Sequence, residues 1–503
     1  MHRPALAAAS LLLISGCTLG PDFMPPAGIA PTSWSAVPSE HIASVPVAAP
    51  IDPSWWNVFH DRELTALEER VAAQNLDVQA ATIRLAESRA QLGIVAASAL
   101  PTLQSDASYQ RQKASDNGVF SGLATIAAGS GASGAAGATA GGVKGAVLGA
   151  FDTFQVGFDA SWELDLWGKV RRSIEAADAN VTASAEARRD TLLSSLAEVA
   201  RDYLQLRGVQ ERLQIAHDNV KSAQQSLDLT RQRAVGGVTT DLDVANASAQ
   251  VSTFSALIPS LEAQERQLVN ALSLLLGQPP QALKDELATA QPVPPVPPRV
   301  PVGLPSELAR RRPDIRQAEA QLHAATATIG VAQANFYPSV TLTGSVGVQA
   351  LEAWKMFDLN SRLYALGPSI SIPIFEGGRL KATLTLREDQ QKEAAIAYQK
   401  TVLNAWHEVD NGLTAYDAEQ RRRDQLTEAV AQNQRALSLA LTRYEQGVAD
   451  FLQVLDVQRS LLATQELLAD ATTTIDTDLV AIYKALGGGW ETSFPEQAAI
   501  ASK

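Results

Sequence analysis

The chain has 503 residues, with 41 basic against 54 acidic side chains and a formal net charge of -13. That acidic balance argues against a surface built to hold the phosphate backbone of nucleic acid. A single cysteine rules out a disulfide framework.

Residues 1–16 read as a signal peptide: His2 and Arg3 form a weakly basic start, and Leu11 to Ile14 form an apolar run too short to span a bilayer. The run ends in Leu13-Ile14-Ser15-Gly16-Cys17, which matches the lipobox cut by bacterial lipoprotein signal peptidase. Cys17 is therefore expected to become the mature N-terminus and to carry lipid. The next residue is Thr18 rather than Asp, so the usual sorting rule does not retain the lipoprotein in the inner membrane. Residues 17–60 are read as a lipidated extended segment.

The rest of the chain is written twice, residues 61–290 and 306–488. At an offset of 237, Asn75 aligns with Arg312, Leu85 with Leu322, Gly93 with Gly330 and Pro101 with Pro338. At an offset of 210, Gly168 aligns with Gly378, Glu198 with Glu408, Arg233 with Arg443, Gly237 with Gly447, Leu242 with Leu452 and Gly277 with Gly487. The change of offset comes from a Gly/Ala/Ser-rich tract, about Gly118 to Ala150, which lengthens one loop in the first copy. Gly129, Gly131 and Gly134 within it have the spacing of a dinucleotide loop but lack the preceding strand and following acid.

In chain order, each copy opens with a helical stretch, about Asp61 to Ala99 and about Ser306 to Asn335. Two alternating segments follow. In the clearest, Phe154, Val156, Phe158, Ala160, Trp162 and Leu164 share one face, while Gln155, Asp159, Ser161 and Glu163 share the other. Leu103, Ala107 and Tyr109 precede it, and copy two repeats the pattern with Val340, Leu342, Val346 and Val348, then Leu366, Ile370, Ile372 and Ile374. Strands of about 10 residues suit a membrane barrel, and aromatic residues gather at their ends: Trp167, Phe336, Tyr337 and Phe375 at one, Tyr109, Phe154 and Tyr364 at the other. A soluble sandwich would alternate equally well, but four strands leave uncovered edges that oligomerisation would close.

After the strands, Gly168 to Gly237 is nearly free of Gly and Pro and carries apolar residues at three-and-four spacings, including Leu192, Leu196, Val199, Tyr203 and Leu206. This predicts a coiled-coil-like helix roughly 100 Å long, present in both copies. A return stretch of about 40 residues runs to Gly277 and, in copy two, to Gly487. The copies are joined by a Pro-rich linker, 291–305, and residues 489–503 form a tail.

No nucleophile with a base, no metal-ligand spacing and no phosphate loop is present, so no enzyme, metal or cofactor is expected. His41, His60, His217, His323 and His407 are scattered. Trp55 and Trp56 are read as packing anchors. The run Arg310 to Arg312 fits either a solvated helix start or a salt-bridge network.

These motifs resemble the TolC-like outer-membrane factor family, in particular its NodT-like efflux lipoprotein branch. The resemblance covers nearly the whole mature chain and rests on Gly20-Pro21-Asp22-Phe23, on Trp55-Trp56 with Phe59 and Asp61-Arg62-Glu63-Leu64, and on Gly303 to Leu308 with Arg311-Arg312-Pro313-Asp314-Ile315-Arg316 and Glu319. It implies a mainly α protein with a transmembrane β-barrel. Each protomer of a homotrimer would give four strands to a 12-stranded barrel and long helices to a periplasmic α-barrel. The implied role is the outer-membrane exit duct of a tripartite pump with a periplasmic adaptor and an inner-membrane transporter, of the resistance nodulation division type by preference. A type I protein secretion duct and a periplasmic coiled-coil tether are the alternatives. The strand acids Asp106, Asp159, Glu163 and Asp165 would face the lumen.

Gly237 and Gly447 suit the turns at the ends of the long helices. The resemblance places Leu452 and Asp456 at a periplasmic constriction, with Asp243 and Tyr444 latching neighbouring helices and Arg443 and Arg459 nearby. Gln453 stands where some family members carry a second acid.

Overall fold

A computed structural model describes residues 18–26, 33–34, 42–113, 115 and 150–494. Cys17 and most of the Gly/Ala-rich tract lie outside the described residues. The chain separates into two units, each drawing on both sequence copies.

The first unit comprises Met1–Phe23, Ala90–Asp178 and Ala324–Gln391. It holds one antiparallel sheet of β2 (Thr102–Lys113), β3 (Ala150–Leu164), β5 (Ser339–Ala350) and β6 (Arg362–Ser371), in the order β2-β3-β5-β6. The register keeps each face uniform across all four strands. Phe158 lies opposite Val346 and Val346 opposite Tyr364, whereas Gln104 lies opposite Asp159 and Asp159 opposite Ser345. Leu103, Phe158, Val346, Tyr364 and Leu366 are all exposed on the apolar face. Pro368, which has no amide proton for a ladder, sits in edge strand β6. Of the expected aromatic groups, one lies just beyond the strands, where Trp167 packs on Tyr337 at 4.9 Å and its indole N–H donates to the Pro338 carbonyl at 2.7 Å, whereas Tyr109 packs on Phe154 at 4.9 Å inside β2 and β3.

The second unit comprises Met24–Arg89, Ala179–His323 and Lys392–Lys503. The two long helices, α3 (Lys169–Val235) and α7 (Arg379–Glu445), are each 67 residues, and most of each belongs to this unit. The short helices are shorter or more divided than the sequence suggests. Copy one has α1 (Arg62–Gln74) and α2 (Leu76–Ala97), broken at extended Asn75, and copy two has a single helical turn, Leu308–Arg311, broken at extended Arg312 before α6 (Pro313–Ala334). The return stretch of copy one divides at Ala256 into α4 (Asp241–Ser255) and α5 (Leu257–Leu275), while that of copy two is continuous as α8 (Phe451–Leu486). Pro259, in the first turn of α5, has no amide proton to give a continuing helix, which fits a break just before it.

The duplication persists in the hydrogen bonding. Asn75 Nδ2 donates to the Leu275 carbonyl at 2.9 Å, and the equivalent Arg312 Nη1 donates to the equivalent Ala485 carbonyl at 2.7 Å. Gly277 and Gly487 both take left-handed backbone angles, and a Cβ at either would press on the facing chain at Gln74 or Arg312. Arg312 is buried and also pairs with Asp314 and Glu408, and Arg311 reaches Glu491 at 3.8 Å, so these two belong to a packed ionic network, while Arg310 is exposed.

Within the linker, β4 (Arg299–Pro301) pairs in parallel with β1 (Val45–Val47). The Tyr416 hydroxyl donates to Ser44 Oγ at 2.8 Å and Gln420 Nε2 donates to the Ser44 carbonyl at 3.1 Å, which fixes this pair of strands on α7. Trp55 is fully buried, stacked on Tyr483 at 5.4 Å and edge-on to Trp56 at 5.8 Å.

Candidate functional site

The polar face of the sheet carries the acids expected there, but two of them are neutralised. Lys169 at the start of α3 reaches Glu163 at 3.0 Å, and Arg171 reaches Asp165 at 3.1 Å. Burial works against ionisation of Asp165, yet the amides of Val170 and Arg171, each at 3.0 Å, outweigh it and hold the carboxyl below its usual range. Glu163 and Asp165 thus each carry a basic partner, whereas Asp106 and Asp159 are both exposed. A cleft of about 680 Å³ lies beside the paired acids, lined by Trp167, Lys169, Tyr337, Phe375 and Arg379 among others.

Where each long helix ends, the chain reverses through the same geometry. Gly237 (φ 69°) and Gly447 (φ 75°) are left-handed. The Gly237 amide bonds to the Ala234 carbonyl at 2.9 Å and the Val238 amide to the Arg233 carbonyl at 2.9 Å. In copy two Gly447 bonds to Tyr444 at 2.9 Å and Val448 to Arg443 at 3.0 Å. This is the Schellman pattern, in which glycine satisfies otherwise orphaned carbonyls without a Cβ clash.

Asp243 and Tyr444 are not partners within the chain. Asp243 closes the first turn of α4: its Oδ2 accepts from the Thr239 hydroxyl at 2.6 Å and the Thr240 amide at 3.2 Å, while its own amide donates to Thr240 Oγ1 at 3.4 Å. The Thr239 hydroxyl, with further help from Thr240, holds its carboxyl below the usual range. Tyr444 is 3% exposed, packed on Phe451 at 5.3 Å, and its hydroxyl faces Thr230 at 3.4 Å. The residue that engages Tyr444 from the other copy is Arg233, whose guanidinium lies 4.8 Å from the ring centre while Nη1 donates to the Glu445 carbonyl at 2.8 Å.

Leu452, Asp456 and Arg459 do share an exposed face of α8, as their spacing requires. Arg459 Nε donates to Gln250 Oε1 at 2.8 Å, so this face is tied to the first hairpin. Arg443 is exposed. Arg233 was visible in the sequence only as the repeat partner of Arg443, and its clasp on Tyr444 had no local signal. The same holds for Arg172. Its side chain is 4% exposed, bonds to the Leu19 carbonyl at 3.0 Å and Asp22 at 2.6 Å, and so straps the Gly20-Pro21-Asp22 segment to α3. Among the described residues, no group of three His, Cys, Asp or Glu is placed to hold a metal ion.

Two sheet faces of opposite character and paired long hairpins match known proteins throughout. The family model described as "Outer membrane efflux protein" matches residues 67–278 and 304–488. Outer membrane protein OprJ of Pseudomonas aeruginosa is 33% identical over 501 residues, covering 98% of this chain and 97% of OprJ. Nodulation protein T of Rhizobium leguminosarum bv. trifolii is 31% identical, covering 95% of this chain and 96% of that protein. The solved structure of the outer-membrane channel OprN superposes with a TM-score of 0.84 at 32% identity, covering 94% of this chain and 100% of OprN. The chain therefore belongs to the outer membrane efflux protein family, as an outer-membrane channel component of efflux and not an enzyme.

Proposed function

We propose that three copies of the chain close into a 12-stranded barrel and a periplasmic helical tunnel, forming the exit duct of a tripartite pump. The observation that carries this reading is the four-stranded sheet with one apolar and one polar face and two open edges, β2 and β6. An isolated edge in lipid leaves amides and carbonyls unsatisfied, and closure with further copies removes the edges. In this reading Asp106 and Asp159 face the lumen, and an acyl chain on Cys17 anchors the segment that Arg172 straps down. A periplasmic adaptor engages the helical part, and an inner-membrane transporter, of the resistance nodulation division type by preference, supplies the substrate. A type I secretion duct would use the same barrel, whereas a tether would have no use for two opposed sheet faces.

The periplasmic end is proposed as the gate. Leu452 and Asp456 form the constriction from each copy, with Arg459 and Arg443 beside it. Asp243 and Tyr444 hold the hairpins in shape, and Gly237 and Gly447 permit their turns. Purified protein in planar bilayers tests the duct directly: discrete conductance steps are expected, larger in Asp456→Ala and Leu452→Ala. Protein that inserts as a trimer and never conducts would reject the duct. A Cys17→Ala protein that still acquires a lipid mass would reject the anchor.

A further inference from the structure

Tyr203, Arg207 and Gln210 turn one side of α3 toward the segments that cover it. The Tyr203 hydroxyl donates to Asp61 Oδ2 at 2.7 Å, Arg207 pairs with Glu63, and Gln210 Nε2 donates to the Leu287 carbonyl at 3.0 Å. With 3.6 residues per turn, Gln205, Gly208 and Arg212 fall on the opposite side. There α3 floors a groove of about 490 Å³ between α5 and α8, walled by Gln264 and Gln267 of α5 and by Asp470 and Thr474 of α8. In the duct proposed above this side of the helices is the inner wall, because the covering segments would plug the passage if they lay inside it.

The polar groups of the groove are uncommitted. Among the described residues, the side chains of Gln205, Gln264, Gln267, Asp470 and Thr474 make no hydrogen bond, and Arg212 makes no ion pair and has a buried Nε without a partner. Asp202 also lines the groove, but it pairs with Arg201 at 3.0 Å and burial holds its carboxyl above the usual range, so it adds little charge. One free guanidinium and one free carboxylate therefore stand in the same groove without pairing with each other. The repeat shows why Arg212 is free. At the 210-residue offset it aligns with Arg422, which Glu419 neutralises at 2.6 Å, and Val209 stands in the place of that acid. Asp470 aligns with Ser260, so neither free charge is matched by a free charge in the other copy.

We infer that this groove is a docking site for zwitterionic solutes, in which Arg212 receives a carboxylate and Asp470 an ammonium group. The inference rests on the duct reading for its place along the passage, whereas binding itself depends only on the groove. A solute with one charge meets a like charge on the other wall, while a solute carrying both is attracted at each end. The guanidinium offers a carboxylate two parallel hydrogen bonds, and the volume suits a drug-sized molecule. Val209 and Leu268 are the only large apolar side chains in the lining, which keeps binding weak, as a solute that must leave again requires.

Purified protein tests this with ε-aminocaproate and its shorter and longer homologues as zwitterions, and with caproate and hexylamine as single-charge controls. Saturation-transfer NMR reads binding without reference to conduction. The best zwitterion should bind in the millimolar range, about fivefold tighter than either control. Arg212→Gln and Asp470→Asn should each weaken it about fivefold, and the exchange of Arg212→Asp with Asp470→Arg should restore it, while Arg422→Gln should leave it unchanged. In planar bilayers the same compound should lower the conductance of the parent and not of Arg212→Gln. Equal binding of zwitterions and controls, or binding that survives both single substitutions, would overturn the site. Binding as expected with no effect on conductance would overturn its place on the inner wall. Binding as expected in protein that never conducts would reject the duct and leave the zwitterion site standing.

Discussion

The guanidinium of Arg233 lies over the ring of Tyr444, 211 positions later in the chain, at 4.8 Å from its centre, and donates past it to the Glu445 carbonyl at 2.8 Å. One side chain thereby covers an aromatic ring and neutralises a helix C-terminus. Much of the stability of this tip should reside in the ring rather than its hydroxyl, because the contact with Thr230 is long at 3.4 Å. Tyr444→Phe is expected to cost under about 1 kcal/mol and Tyr444→Ala about 3–5 kcal/mol. Hydrogen exchange of residues 225–235 and 440–455 measures both; equal losses in the two variants would transfer the role to the hydroxyl.

Glu68 on α1 is buried, and neither carboxylate oxygen has a hydrogen-bond partner. Burial drives its carboxyl well above the usual range. The folded value is raised, so the stability this proton confers is present below the unfolded value of about 4.3 and is lost as pH rises through the folded value. Glu68→Gln keeps the shape without the ionisation. Its unfolding midpoint should match the parent near pH 4 and exceed it at pH 8; a variant less stable at both would mean that the carboxylate is ionised and paired.

Asp243 behaves in the opposite sense. Its carboxyl is held low, first by the Thr239 hydroxyl, so its contribution is present above the unfolded value of about 3.9 and is lost only as pH falls through the folded value. Asp243→Ala removes half of the reciprocal cap with Thr240 and should cost about 1 kcal/mol at pH 7. Faster exchange of the amides in the first turn of α4 should report the loss, with the turn after Gly447 as an internal control. Unchanged exchange there would return Asp243 to a role between copies.

Gly208 of α3 lies so close to α8 that a Cβ would collide with the Thr473 side chain. Gly208→Ala is therefore expected to destabilise by about 1–3 kcal/mol, although alanine favours a helix more than glycine does. Pairing it with Thr473→Ala should recover part of the loss, as a double-mutant cycle in unfolding midpoint would show. Additive losses would mean that the helices already separate at this point.

The repeat, the long helices and the two-faced strands were legible in the sequence because each is a local regularity: an offset, a spacing of three and four, or an alternation of two. Glycine at 237, 447, 277 and 487 was legible for the same reason, since a left-handed turn tolerates few other residues. Partner choice was not legible. Asn75 and Arg312 share a position in the repeat and the same carbonyl acceptor, yet only the tertiary structure shows that an amide and a guanidinium do one job. Arg233 and Arg443 likewise look equivalent on paper. The fold covers one with the aromatic ring of the other copy and leaves the second exposed, because a side chain's partner is set by which distant helix lies beside it. Spacing along its own helix determines only the direction in which it points.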